Sequence, residues 1–136
     1  MRAVLDPNVL ISALLAPRGA PAQIVVGWLA GEFELVVSTL LLAELEQALA
    51  YPKVRQRLAR ADAEELLGLL RDAALVGLDP PTPPRRSPNP GDDYLLALAE
   101  SENALLVSGD QHLLAVADRF PIRAPRAFLD ALEEQR

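Results

Sequence analysis

The chain contains no cysteine, which excludes disulfides, thiolate zinc sites and cysteine nucleophiles and is compatible with a reducing compartment. Histidine is represented only by His112 and lysine only by Lys53, against twelve arginines. That bias is in keeping with a GC-rich genome or a thermophile. Aromatic residues are scarce, and Trp28, Phe33 and Tyr51 lie in contexts too apolar for a base-stacking platform, so they are assigned to packing. Long hydrophobic runs are absent too. Although 51% of the residues are hydrophobic, no run approaches the roughly 20 residues of a membrane span. The opening MRAVLD reads as a strand rather than a signal sequence. The expectation is a cytoplasmic protein with no membrane association.

What is present is acid. A net charge of −6 and a pI near 4.7 argue against broad wrapping of nucleic acid by a basic surface. A nuclease stays open, because a divalent cation bound by some of those acids reverses the potential that a phosphate meets. At 136 residues the chain predicts a single domain over 1–136, long enough to bury about two-thirds of its unfolded surface.

Apolar runs and turn signals alternate along the chain. Strands are predicted at 2–6, 33–38, 74–78, 104–108 and 121–124. Helical spacing occupies 8–15, 22–31, 39–51, 53–60, 63–73, 91–102, 110–120 and 125–135. Asp62, with Glu65 three residues on, reads as a capping box for the helix at 63–73. DPPTPPRRSPNP, residues 79–90, has too much proline for regular structure and is read as a loop over the sheet edge. Alternating strands and helices predict a three-layer α/β/α sandwich around a central, mostly parallel sheet.

On that reading Asp6, Glu44, Asp92 and Asp110 each lie where a strand has ended or a helix has begun. In an open α/β sheet such positions converge on the crevice above the carboxyl ends of the strands. Carboxylates crowded there repel one another unless a cation holds them, so a hard metal with oxygen ligands is the simplest stable state. Each acid also has an ordinary structural reading. Asp6 and Asp110 fit helix N-caps, Asp92 and Asp93 open a helix where negative charge suits the dipole, and Glu44 fits an exposed helical position. Those readings do not explain why the strands at 2–6 and 104–108 both lead into Asp, with Glu44 just beyond a third strand.

VLDPNVLISALL, LLAELEQAL, NPGDDYLLALAE and LLVSGDQHLL resemble, in order and spacing, the four acidic motifs of PIN-domain ribonucleases. The most similar group is the VapC-like toxins of toxin-antitoxin systems, and the resemblance runs from Met1 to the C-terminal helix. It implies a metal-dependent endonuclease of single-stranded RNA, with Mg²⁺ or Mn²⁺ held by Asp6, Glu44, Asp92 and Asp110. It further implies that Asp6 bridges, that Asp92 and Asp110 complete the metal shell, and that Glu44 holds a second ion or orients water. Asn8 and Ser108 match the motifs' polar positions and are expected in a supporting role, with Asp93 as an alternative to Asp92. One departure is Asn89, where related sequences carry an acid; it removes a negative charge and reads as a cap or loop residue.

Arg85 and Arg86 in the proline-rich loop and Lys53 beyond the Glu44 helix are the candidate RNA contacts, Lys53 within a cluster that also reads as a solvated helix face. His112 reads as a lone surface or partly buried histidine, with contact to substrate phosphate as the alternative. A phosphoacceptor receiver domain is ranked low, because the required late-strand lysine is missing. A PIN-like module that binds RNA or a partner without cutting is the stronger rival. The apolar helices at 22–31 and 39–50 point to a homodimer, and the resemblance adds a small antitoxin as a possible partner.

Overall fold

The computed structural model describes residues 1–136. Five strands, β1 (Arg2–Leu5), β2 (Glu34–Val37), β3 (Leu75–Val76), β4 (Leu105–Val107) and β5 (Ile122–Arg123), form one sheet in the order β3-β2-β1-β4-β5. All four pairings are parallel. Ala3, Val4 and Leu5 of β1 and Leu35, Val36 and Val37 of β2 are buried, as expected of strands covered on both faces.

The helices are α1 (Pro7–Leu15), α2 (Ala20–Leu29), α3 (Thr39–Leu49), α4 (Pro52–Arg55), α5 (Arg60–Ala73), α6 (Asp93–Ser101), α7 (Gln111–Leu114) and α8 (Pro125–Glu134), with a 3₁₀ turn at Pro90–Asp92. One layer is built from α1 packed on α2 and α3, α2 on α8, and α3 on α5, while α6 packs on β1 and β4. Parallel crossovers are right-handed as a rule, and with the strand order β3-β2-β1-β4-β5 that rule puts α6 on the opposite face, giving a three-layer α/β/α sandwich. Leu41, Leu45 and Leu49 recur every fourth residue on the buried face of α3. The core is one cluster of 32 buried residues, in which Phe33 and Phe128 meet edge-to-face at 5.2 Å. No helix is long and apolar enough to cross a membrane.

The chain runs from β1 outward to β2 and β3, then returns to place β4 on the other side of β1. The crossovers reverse direction between β1 and β4, and the crevice above that switch point is where α/β sheets bind ligands.

Local departures from the predicted elements have identifiable causes. The helix predicted from 63 begins at Arg60 with Ala59 as a cap that makes no side-chain hydrogen bond. Asp62 therefore lies in the first turn and acts through its charge rather than as a capping box. The helix predicted over 53–60 ends after Arg55, and Val54 and Leu58 both pack on the core. The helix predicted over 110–120 is reduced to Gln111–Leu114, because Leu106 N–H donates to the Pro121 carbonyl at 2.8 Å and draws the chain back to the sheet. Trp28 and Phe33 pack in the core, whereas Tyr51 is 56% exposed and is not a packing residue.

Candidate active site at the carboxyl edge of the sheet

Asp6 extends the parallel ladder one residue beyond β1, its N–H donating to the Val107 carbonyl at 3.0 Å. Its side chain is 5% exposed and does two things at once. Oδ1 accepts the Asn8 N–H at 3.0 Å, capping α1, while Oδ2 accepts the Ser108 hydroxyl at 2.8 Å. The Ser108 oxygen in turn accepts the Asp110 N–H at 3.0 Å, so one fully buried serine fixes two of the acids relative to each other. Asp110 caps α7 through Oδ1, which accepts the His112 N–H at 2.7 Å. The cap reading and the site reading of Asp6 and Asp110 are thus compatible, since a carboxylate that caps with one oxygen is oriented by doing so.

Asp92 ends the 3₁₀ turn that Asn89 caps by accepting the Gly91 N–H at 3.2 Å. Asp92 Oδ2 is buried and has no hydrogen-bond partner. Burial, followed by the charges of Asp110, Asp6 and Glu44, pushes its carboxyl up from the ordinary 3.8 to about 6, opposed only by His112. Asp6 is raised as well, chiefly by burial and further by Asp110, against the hydrogen bonds from Asn8 and Ser108. Four acids from distant parts of the sequence therefore share one electrostatic neighbourhood. No three Asp, Glu or His side chains are drawn to ligating distance of one point, as mutually repelling carboxylates stand apart.

Glu44 lies on the exposed side of α3, and its Oε2 accepts the hydroxyl of Tyr94. Tyr94 is 8% exposed on α6; burial, then its bond to Glu44, raises its phenol far above the ordinary range and keeps it a donor. Asp79, just beyond β3, caps α3 by accepting the Leu40 N–H at 2.9 Å through Oδ2, while its Oδ1 is buried without a partner. At Asp110 a cleft of about 300 Å³ is lined by Asn8, Val9, Ser12, Pro21, Gly109, Asp110 and Pro125.

Other candidates lie elsewhere. Asp93 is 1% exposed, and its Oδ1 accepts the Arg86 and Ser87 N–H groups at 3.1 and 2.8 Å. It secures the proline-rich loop. Arg86, expected at the RNA, is instead paired through two nitrogens with Glu100 and lies 5.5 Å over the Phe120 ring. Arg85 remains 71% exposed, with Nε 3.5 Å from Asp93. Lys53 is exposed on α4, past the far end of α3, which leads away from the carboxyl edge at about 1.5 Å per residue. His112 is exposed and near enough to lower the Asp92 carboxyl.

Tyr94, Asp79 and Arg123 were not singled out by the sequence. Leu78-Asp79-Pro80 repeats the grammar of Leu5-Asp6-Pro7, a signal that could have found Asp79. Tyr94 is the one hydroxyl in the buried stretch Tyr94–Ala99, and a buried phenol calls for a polar partner. Arg123 is exposed at the carboxyl end of β5, in register with Val107, and its carbonyl accepts the Ser108 N–H at 3.0 Å.

The donor set fits a hard divalent cation. It is all carboxylate, as Mg²⁺ and Mn²⁺ prefer, and it contains a buried oxygen, Asp92 Oδ2, that no protein group satisfies. The family described as PIN domain matches residues 2–112. Among solved structures, the chain is similar to PAE2754 from Pyrobaculum aerophilum, with 20% identity, 98% of this chain and 90% of that one covered, and a TM-score of 0.66. It is similar to VapBC2 from Rickettsia felis bound to a DNA fragment from their promoter, with 17% identity, 91% and 98% covered, and a TM-score of 0.59. A PilT N-terminus domain protein, SSO1118, from the archaeon Sulfolobus solfataricus P2 gives 16% identity, 97% and 93% covered, and a TM-score of 0.58. At these identities the likeness is one of fold. No curated protein matches the chain.

Proposed function

The chain belongs to the PIN domain family, and from that premise we propose that it is a metal-dependent endoribonuclease hydrolysing phosphodiester bonds of single-stranded RNA. Asp6, Glu44, Asp92 and Asp110 are the residues that would hold Mg²⁺ or Mn²⁺. The observation that carries this reading is Asp92, whose buried, unpartnered oxygen stands in the field of the three other acids. A site in which burial and three neighbouring acids together raise a carboxyl is one that a cation would relieve.

When bound, the cation would neutralise charge on the phosphate and lower the pKa of an attacking water. The chain's own residues supply the arrangement. Ser108 and the Asn8 N–H fix both oxygens of Asp6, and the His112 N–H fixes one oxygen of Asp110. The cleft lined by Asn8, Ser12 and Asp110 gives an RNA strand a polar approach to those acids. Exposed Arg85 and Arg123 are the cations suited to its phosphates, positioning the strand without specifying bases.

The resemblance to VapC-like toxins, with the fold shared with VapBC2, supports reading the chain as the toxin of a toxin-antitoxin pair. A small antitoxin partner and a homodimer belong to that reading. The alternative, an RNA-binding or partner-binding PIN-like module without catalysis, draws on Asn89 and on carboxylates that are not gathered to ligating distance.

The test is incubation of a mixed single-stranded RNA pool, and of a matched duplex, with Mg²⁺, Mn²⁺ or EDTA. Cutting of the single strands that requires metal is the expected result. Well-folded protein that binds RNA but cuts nothing with any of the metals would replace the nuclease with the binding module.

A further inference from the structure

We propose that Tyr94 is a positioning residue that holds the Glu44 carboxylate in the cation site; the inference rests on the functional reading above. Glu44 is the one candidate ligand carried on a long side chain from within a helix, and no backbone N–H holds its carboxylate. Asp6 and Asp110 each cap a helix, and Asp92 ends a turn that Asn89 closes. Glu44 projects from the solvent side of α3, where a long flexible side chain next to other carboxylates would swing toward water. Its only side-chain hydrogen bond is the one donated by Tyr94.

Tyr94 is suited to that task and to little else at this place. Its ring is buried on α6, which fixes the direction of its hydroxyl. It follows Asp92 by two residues, so the bond ties α3 to the element that carries Asp92. The charges of Glu44, Asp6 and Asp79 all act on the phenol, and a neutral donor among acids can join one of them without adding charge. The bond engages Oε2 and leaves Oε1 for a cation.

If the hydroxyl served only to satisfy a buried phenol, its loss would change stability and leave cation binding alone. Tyr94→Phe removes one oxygen and keeps the ring, and its melting temperature in EDTA reports whether the fold is kept. Titration with Mn²⁺ alone, followed by calorimetry, should show affinity falling about 10-fold, the size of effect found when a group orienting a metal ligand is removed. In cleavage, kcat at limiting Mn²⁺ should fall while KM for RNA holds, and excess Mn²⁺ should restore kcat. In a Glu44→Gln background, Tyr94→Phe should cost no further Mn²⁺ affinity, because the residue acts through Glu44. Wild-type affinity in folded Tyr94→Phe, or an equal loss with Glu44→Gln already present, overturns the inference alone. Wild-type protein that neither binds Mn²⁺ nor cuts RNA overturns the functional reading and this inference with it.

Discussion

Neutralising Asp92 should make the metal-free protein more stable, although the residue is assigned to the active site. Its carboxyl is displaced from 3.8 to about 6 by burial and by Asp110, Asp6 and Glu44. At about 1.4 kcal/mol per tenfold change in proton affinity, that displacement corresponds to about 3 kcal/mol of destabilisation by the charged form. The group is only partly buried, and solvent screening reduces the figure to about 1 to 2 kcal/mol. The sign follows from linkage. Because the folded state holds the proton more tightly than the unfolded chain, stability falls as pH rises from about 4 to about 6 and stays reduced above that. Asp92→Asn removes this loss and breaks no hydrogen bond at Oδ2, which has none. In EDTA at pH 8 the variant should melt higher than wild type by about 4 to 8 °C, with the gain shrinking as the pH is lowered through 6 toward 4. Mg²⁺ or Mn²⁺ should then reverse the order, raising the wild-type transition and leaving the variant nearly unmoved. Thermal unfolding across pH, with and without metal, measures all of this. A variant less stable than wild type at pH 8 in EDTA, or a gain that is the same at pH 4 and pH 8, would refute the reasoning.

Other consequences can be checked on the same preparations. Asp93→Ala leaves the Arg86 and Ser87 N–H groups without their acceptor and should cost about 2 kcal/mol in urea unfolding; an unchanged midpoint would show that the loop is held otherwise. A Cβ at Gly77 would stand 2.7 Å from Leu98 Cδ1, a fully buried side chain, so Gly77→Ala should lose about 1 to 3 kcal/mol. Arg123→Ala should weaken binding of single-stranded RNA and reduce the dependence of log affinity on log salt by about 0.7. Arg86→Ala, which breaks the Glu100 pair and the contact over Phe120, should lower the melting temperature with the salt dependence unaltered; the opposite assignment of the two effects would exchange their roles.

The element order and the parallel sandwich were legible in the sequence because buried strands such as AVL at 3–5 and LVV at 35–37 are near-continuous apolar runs, and each helix interrupts them with a different period. The acidic positions were legible for a related reason: strand ends in a parallel sheet share one edge, so position in the alternation is position in space. What the sequence concealed depends on side-chain direction and on contacts made across the fold. Asp93 looks interchangeable with Asp92, yet one helical step turns it inward, where the loop amides claim it. Arg86 and Arg85 are neighbours in a basic pair, and only the position of Glu100 and Phe120 separates a structural cation from an exposed one. The link from Tyr94 to Glu44 spans 50 residues, and no local pattern encodes it. Lys53 follows the Glu44 helix closely in sequence, but α3 carries it away from the carboxyl edge.

Cleavage of single-stranded RNA by wild type and Asp6→Asn, purified alike and run with Mn²⁺ or with EDTA, tests the central claim most directly. Asparagine keeps the oxygen that caps α1 and removes the charge, so the variant should remain folded. The account predicts cutting that needs Mn²⁺ and falls by at least about 100-fold in Asp6→Asn, since a group that touches the cation should matter more than one that only orients a ligand. Equal cutting by the two proteins, or cutting that persists in EDTA, would contradict it.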